Sequence, residues 1–182
     1  MDYLFYSVIG KHAGESIEEI MDRKTKEIQV CGFSLWGAKI DKKSVEQVWR
    51  LNENDEVFVL CKISKNAKDP VNDNEIFSAK KMIGKDGEMT VPDEINITFA
   101  EGKNYQAYVV ESYKILNENM VFDFGPYETL TKNNITKSFG ERFRYKQFQN
   151  TFGKLNSSIQ EKCEKEINII MNLKYPFVVN LS

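Results

Sequence analysis

Two hydrophobic periods alternate along this chain. Tyr3 to Ile9 is apolar on both faces and rich in aromatic and β-branched residues, which predicts a central strand. From Ser16 the period changes. Ile17, Ile20, Met21, Lys24 and Ile28 fall on one helical stripe, Ser16 and Glu19 make a capping box, and Gly32 closes the segment, so a helix is expected over 16–30. Phe33 to Lys39 reads as a short strand carrying Trp36. Asp41 or Ser44 can cap a second, short helix bearing Val45, Val48, Trp49 and Leu51.

Alternation resumes at Glu56 to Ser64, and Ile76 to Ile83 reads as a further strand. Asp86-Gly87 signals a hairpin that returns through Glu88 to Val91. Ile95 to Phe99, Tyr105 to Leu116 and Met120 to Phe124 are three more strand candidates, and 127–138 reads as a loop or short helix. A second capping box, Ser158 with Glu161, precedes a stripe of Ile159, Cys163, Ile167, Ile170 and Met171. That spacing predicts a helix over 158–172, ended by Tyr175-Pro176 and followed by a terminal strand from Phe177 to Leu181. The resulting expectation is a single α+β domain over 1–182. It has a mixed, curled, barrel-like sheet of five to seven strands flanked by three or four helices.

Composition narrows the function classes. The 182 residues suffice for one sizeable core. Net charge is −2, so no global basic field points to duplex nucleic acid. The three cysteines, Cys31, Cys61 and Cys163, are far apart, and His12 is the only histidine, so neither a zinc site nor any other metal or cofactor is expected. Reduced cysteines and the lack of a secretory leader or long apolar run predict a cytoplasmic protein without a membrane partner. Lysine, asparagine and isoleucine are frequent while arginine occurs four times, a bias that suits an AT-rich bacterial or phage genome.

Candidate chemistry is sparse, and no catalytic constellation stands out. Gly10 to Ser16 links a strand to a helix start, where free N–H groups with Lys11 and His12 could hold an anion or form an ordinary turn; the order of residues is not that of a phosphate loop. Trp36 beside Gly37 and Ala38 can wall a pocket or pack on the helix over 16–30. In 137–148 two of the four arginines are interleaved with aromatics. An extended chain there puts Arg142, Arg144 and Lys146 on one face, with Phe143 and Tyr145 on the other. Such a segment suits phosphate contact with base stacking, or a packed element with a solvated charged face.

Over the first 83 residues the element order resembles the PUA-like superfamily, especially its EVE and YTH branches. The carrying stretches are YLFYSVI, then a helix, SLWGAK, a short helix, and EVFVLCKIS. The resemblance implies a pocket for a modified base, with Trp36 as stacking wall and Ser34, Lys39, Tyr6 and Ser7 lining it. The expected function is therefore a non-enzymatic module binding a nucleotide, modified base, nucleotide-like small molecule or single-stranded nucleic acid. One alternative is a small interaction factor, such as a phage-encoded inhibitor of a host defence system with a host protein as partner. Another is a nucleotide- or nucleic-acid-processing enzyme, which would need acidic residues such as Glu15, Asp69 or Asp123 gathered with raised pKa values.

Overall fold

The computed structural model describes residues 3–12, 14–38, 42–64, 76–100, 105–129, 151–160 and 162–181. Their elements are, in order, β1 (Tyr3–Ile9), α1 (Ile17–Cys31), β2 (Ser34–Ala38), α2 (Lys42–Val48), β3 (Val57–Ile63), β4 (Ile76–Ser78), β5 (Lys81–Gly84), β6 (Gly87–Thr90), β7 (Thr98–Ala100), β8 (Tyr105–Asp123), β9 (Tyr127–Thr129), β10 (Thr151–Leu155) and β11 (Glu164–Leu181). Among the described residues 58% are strand and 15% helix. Nine strands form one sheet with the path β2-β8-β11-β3-β1-β10-β9, while β5 pairs with β11 and β6; β4 and β7 pair separately. The described residues are thus mostly β, with two helices and a sheet that among them does not close. This corrects the expected α+β domain with three or four helices around a barrel-like sheet.

The largest correction falls on 158–172. The expected helix is instead the first half of β11, preceded by a turn. Ser158 does not cap a helix: its N–H and hydroxyl both donate to Asn156 Oδ1, at 3.1 and 2.6 Å, closing a local turn. Ile167, Ile169, Met171 and Leu173 are all buried while the residues between them are not, a period of two. The helical stripe shares Ile167 and Met171 with that pattern, so the two periods overlap here. The β-branched isoleucines favour the strand, and four facing residues of β3, from Cys61 at Ile169 to Phe58 at Asn172, hold it.

A second correction joins two expected strands. Asn117-Glu118-Asn119 does not interrupt β8, which runs 19 residues. The polar side chains bond across to the neighbouring strand. Asn119 Nδ2 donates to Glu166 Oε2 at 3.2 Å, and Asn168 Nδ2 donates to Asn119 Oδ1. Phe124 N–H donates to Cys163 O at 2.8 Å, just after β8 ends and just before β11 starts.

The strand expected over 76–83 is two, β4 and β5, which pair in different sheets, and 127–129, expected as loop or short helix, is strand β9. The caps of α1 and the Asp86-Gly87 hairpin are as expected. Glu19 N–H donates to Ser16 Oγ at 3.2 Å and Ser16 N–H to Glu19 Oε2 at 2.7 Å, the capping box of α1. Gly32 ends that helix in the left-handed region, φ 78°, with its N–H on Ile28 O at 2.8 Å. Gly87, φ 116°, turns the β5–β6 hairpin.

The chain divides into two compact units. The first comprises Met1–Val8, Ile40–Ile63 and Tyr113–Asn172. In it Leu4, Tyr6, Leu60, Phe124, Tyr127 and Ile167 form one cluster, and Phe5 stacks on Phe152 of the facing strand with ring centroids 4.6 Å apart. Burial pushes the Tyr6 phenol up to about 12 and the Cys61 thiol well above its usual range. The second comprises Ile9–Lys39, Ser64–Ser112 and Leu173–Ser182. Its core gathers Leu35, Met82, Val91, Ile95, Ile97, Phe99, Val109 and Val179, and it carries α1. No described helix is long and apolar enough to cross a membrane.

Candidate functional site

The inward face of α1 carries charges where an amphipathic helix normally carries aliphatics. Its buried residues are Ile20, Met21, Lys24 and Glu27. Lys24 is 5% and Glu27 2% exposed, and each is fully satisfied, as buried charges must be. Lys24 Nζ donates to Leu35 O at 2.5 Å and to Asn96 O at 3.4 Å, and lies 3.2 Å from Glu27 Oε2. Glu27 accepts from Ser34 Oγ at 2.5 Å, Asn96 N–H at 2.9 Å and Arg23 Nη1 at 3.2 Å. Arg23 grips Glu15 with both ends of its fork, at 2.9 and 2.6 Å, and donates to Asn96 O at 2.7 Å. One turn of helix is thereby tied to β2 and to the irregular segment at Asn96, just before β7.

Burial dominates the titration of Lys24 and lowers it to about 8, outweighing the attraction of Glu27. Hydrogen bonds from Arg23 hold Glu15 below the usual carboxylate range and raise the guanidinium in return. The two carboxylates and two cations cancel, so the cluster has no spare charge for an anionic ligand.

Trp36 stands beside this cluster. Strand alternation puts Ser34 and Trp36 on the α1 face of β2 and Leu35 in the core behind. Its cross-strand partner is the fully buried Tyr108. The indole is half-buried, with Lys24 Nζ 6.0 Å from its ring centroid, at the limit of a cation–π contact. Gly37 is exposed, yet a Cβ there would meet Ile97 Cδ1 at 3.6 Å, on the core side. The small residue therefore leaves room on the face opposite the indole, not beside it.

The described residues among those expected to act with Trp36 differ in burial and in partners. Ser34 is buried, 1% exposed, and its hydroxyl is committed to Glu27. Tyr6 and Ser7 are buried and belong to the first unit. Lys11 and His12 are exposed, and the His12 backbone bridges to Glu15. The adjacent helix start is already served by the carboxylate of Glu19 and followed by Glu18, which leaves little attraction for an anion. Lys39, Arg142, Arg144, Lys146 and Asp69 lie outside the described residues. Asp123 Oδ1 accepts from Gly125 N–H at 2.8 Å and Cys163 N–H at 3.4 Å, a turn-forming role. Among the described residues no group of His, Cys, Asp or Glu could hold a metal ion.

Arg23, Glu27 and Asn96 were not anticipated. A signal existed: a lysine and a glutamate three apart on the apolar stripe, with an arginine four residues before that glutamate, already imply a paired, buried set. No family model, curated protein or solved structure matches this chain.

Proposed function

We propose that this protein is a non-enzymatic, cytoplasmic binding module whose contact surface on the second unit is built on Trp36. Its ligand carries a flat heteroaromatic group, a nucleobase or a close analogue. The observation that carries the reading is the half-buried indole beside the charge-neutral Lys24–Glu27–Arg23–Glu15 cluster. Pairing of β2 with β8 over five residues holds the backbone that carries the ring, so little backbone entropy remains to be lost on stacking. Stacking on a fixed aromatic contributes about 1–3 kcal/mol per base. The cancelled charges favour the base end of a nucleotide over its phosphate. Burial of Lys24, Glu27 and Ser34, each bonded to a neighbour, favours binding over catalysis, because a reacting group must meet substrate.

Saturation-transfer NMR with the common nucleosides tests this. Base protons of at least one nucleoside should receive transfer from the native protein and lose it with Trp36→Ala. Equal transfer in both proteins, or none in either, removes the reading.

A further inference from the structure

We propose that Lys24 is a pH-operated charge switch beside Trp36: by giving up one proton it turns the surroundings of the indole from neutral to anionic. The inference needs no ligand at Trp36. It rests on how unevenly the two cations of the buried cluster are served. Arg23 is forked onto both oxygens of Glu15, at 2.9 and 2.6 Å. Lys24 has one carboxylate within reach among the described residues, Glu27 at 3.2 Å, and that group also accepts from Ser34, Asn96 and Arg23. The other bonds of the ammonium go to neutral carbonyls, Leu35 O and Asn96 O. At 5% exposure water cannot make up the difference. A guanidinium keeps its proton, so the ammonium is the cation that can leave. Burial, only partly offset by Glu27, brings its titration down to about 8.

Proton loss changes charge and leaves the shape. A neutral amine keeps N–H donors for Leu35 O and Asn96 O. What remains of the cluster is the carboxylates of Glu15 and Glu27 against one guanidinium, a net charge of −1. Nζ lies 6.0 Å from the indole centroid, within a Debye length of about 8–10 Å, so the half-buried ring feels the change. The groups that face Lys24 from the neighbouring elements add no competing step of this kind. β2 offers the Ser34 hydroxyl and the Leu35 carbonyl, and β8 the buried phenol of Tyr108, opposite Trp36. In the segment before β7, Asp93 and Glu94 are exposed, and Glu94 lies at Cys31, about two turns further along α1. On the other side His12 is exposed and lies beyond Glu15. Below the switch an anion beside the indole meets no net field; above it the anion is repelled.

Quenching of Trp36 emission by iodide, caesium and acrylamide, on the full chain carrying Trp49→Phe, reads the charge beside the ring. As pH rises from 7 to about 9.5 the ratio of iodide to caesium quenching should fall roughly twofold, while quenching by neutral acrylamide stays level. Lys24→Arg should hold the ratio at its low-pH value throughout, and Lys24→Met at its high-pH value. A ratio that does not move, or a fall that persists in Lys24→Met, overturns the proposal. So does an equal change with acrylamide, since exposure and not charge has then shifted. Side-chain NMR of the protein with labelled lysine reads the same step without a substitution at Lys24. One lysine should titrate near pH 8, and lysines that all titrate near the ordinary value of about 10.4 overturn the proposal as well.

Discussion

Two lysine–glutamate pairs in this molecule differ in what surrounds them. In the second unit Lys24 and Glu27 are almost fully buried and share bonds with Ser34, Arg23, Leu35 and Asn96. In the first unit Lys62 and Glu166 pair across neighbouring strands with side chains 33% and 51% exposed. Water screens the second pair and competes for it, so its net effect is small. The first pair has no water to return to. Each of its members is tolerated only because the others are present, and the set locks α1 onto β2. The same residue types therefore mark a fixed structural joint in one unit and a surface ornament in the other.

The sharpest way to break this contrast is Glu27→Gln, which keeps the size and removes the charge that Lys24 and Arg23 face. Urea unfolding should show a loss of about 3–5 kcal/mol, the cost of leaving a buried charge without its partner. A loss under about 1 kcal/mol would put the two pairs in one class.

The pH dependence of Lys24 comes next. Its ammonium is depressed in the folded state to about 8 from 10.5. Between those values the unfolded chain binds more protons than the folded one, so stability rises with pH across that window and is flat below it. The native protein should gain about 3 kcal/mol relative to Lys24→Met between pH 8 and 10.5. Denaturation midpoints of the two proteins across that range measure it, and parallel curves would contradict it.

Ser34→Ala removes a hydrogen bond to a buried carboxylate and should cost about 1.5–3 kcal/mol in the same assay. Lys62→Ala should be the smallest effect, within about 1 kcal/mol, and should vanish in high salt.

The sequence disclosed α1 to within one residue at each end, because capping box, apolar stripe and closing glycine agreed over one continuous segment. β1, β2, β3 and the β5–β6 hairpin were legible for the same reason: each carries its own local signal. β11 was not. Its isoleucines satisfy both periods over Ile167 to Met171, and what decides between them is β3, a strand about a hundred residues earlier. β8 reads as two pieces in the sequence because Asn117 to Asn119 look like a turn until Glu166 and Asn168 are placed opposite. At the candidate site Trp36 was found by its rarity and its small neighbours. Its true companions were hidden in plain view on α1, since a charged residue on a helix is ordinarily assigned to the solvent face.

The proposed meeting of the Trp36 indole with a flat ligand at a charge-neutral surface can be followed by fluorescence. In a Trp49→Phe background the emission of Trp36 alone can be followed while nucleosides and their 5′-monophosphates are added. Saturable quenching by at least one nucleoside is expected, with its monophosphate binding no more than a few-fold tighter. Emission unmoved by every member, or binding that demands the phosphate, would contradict it.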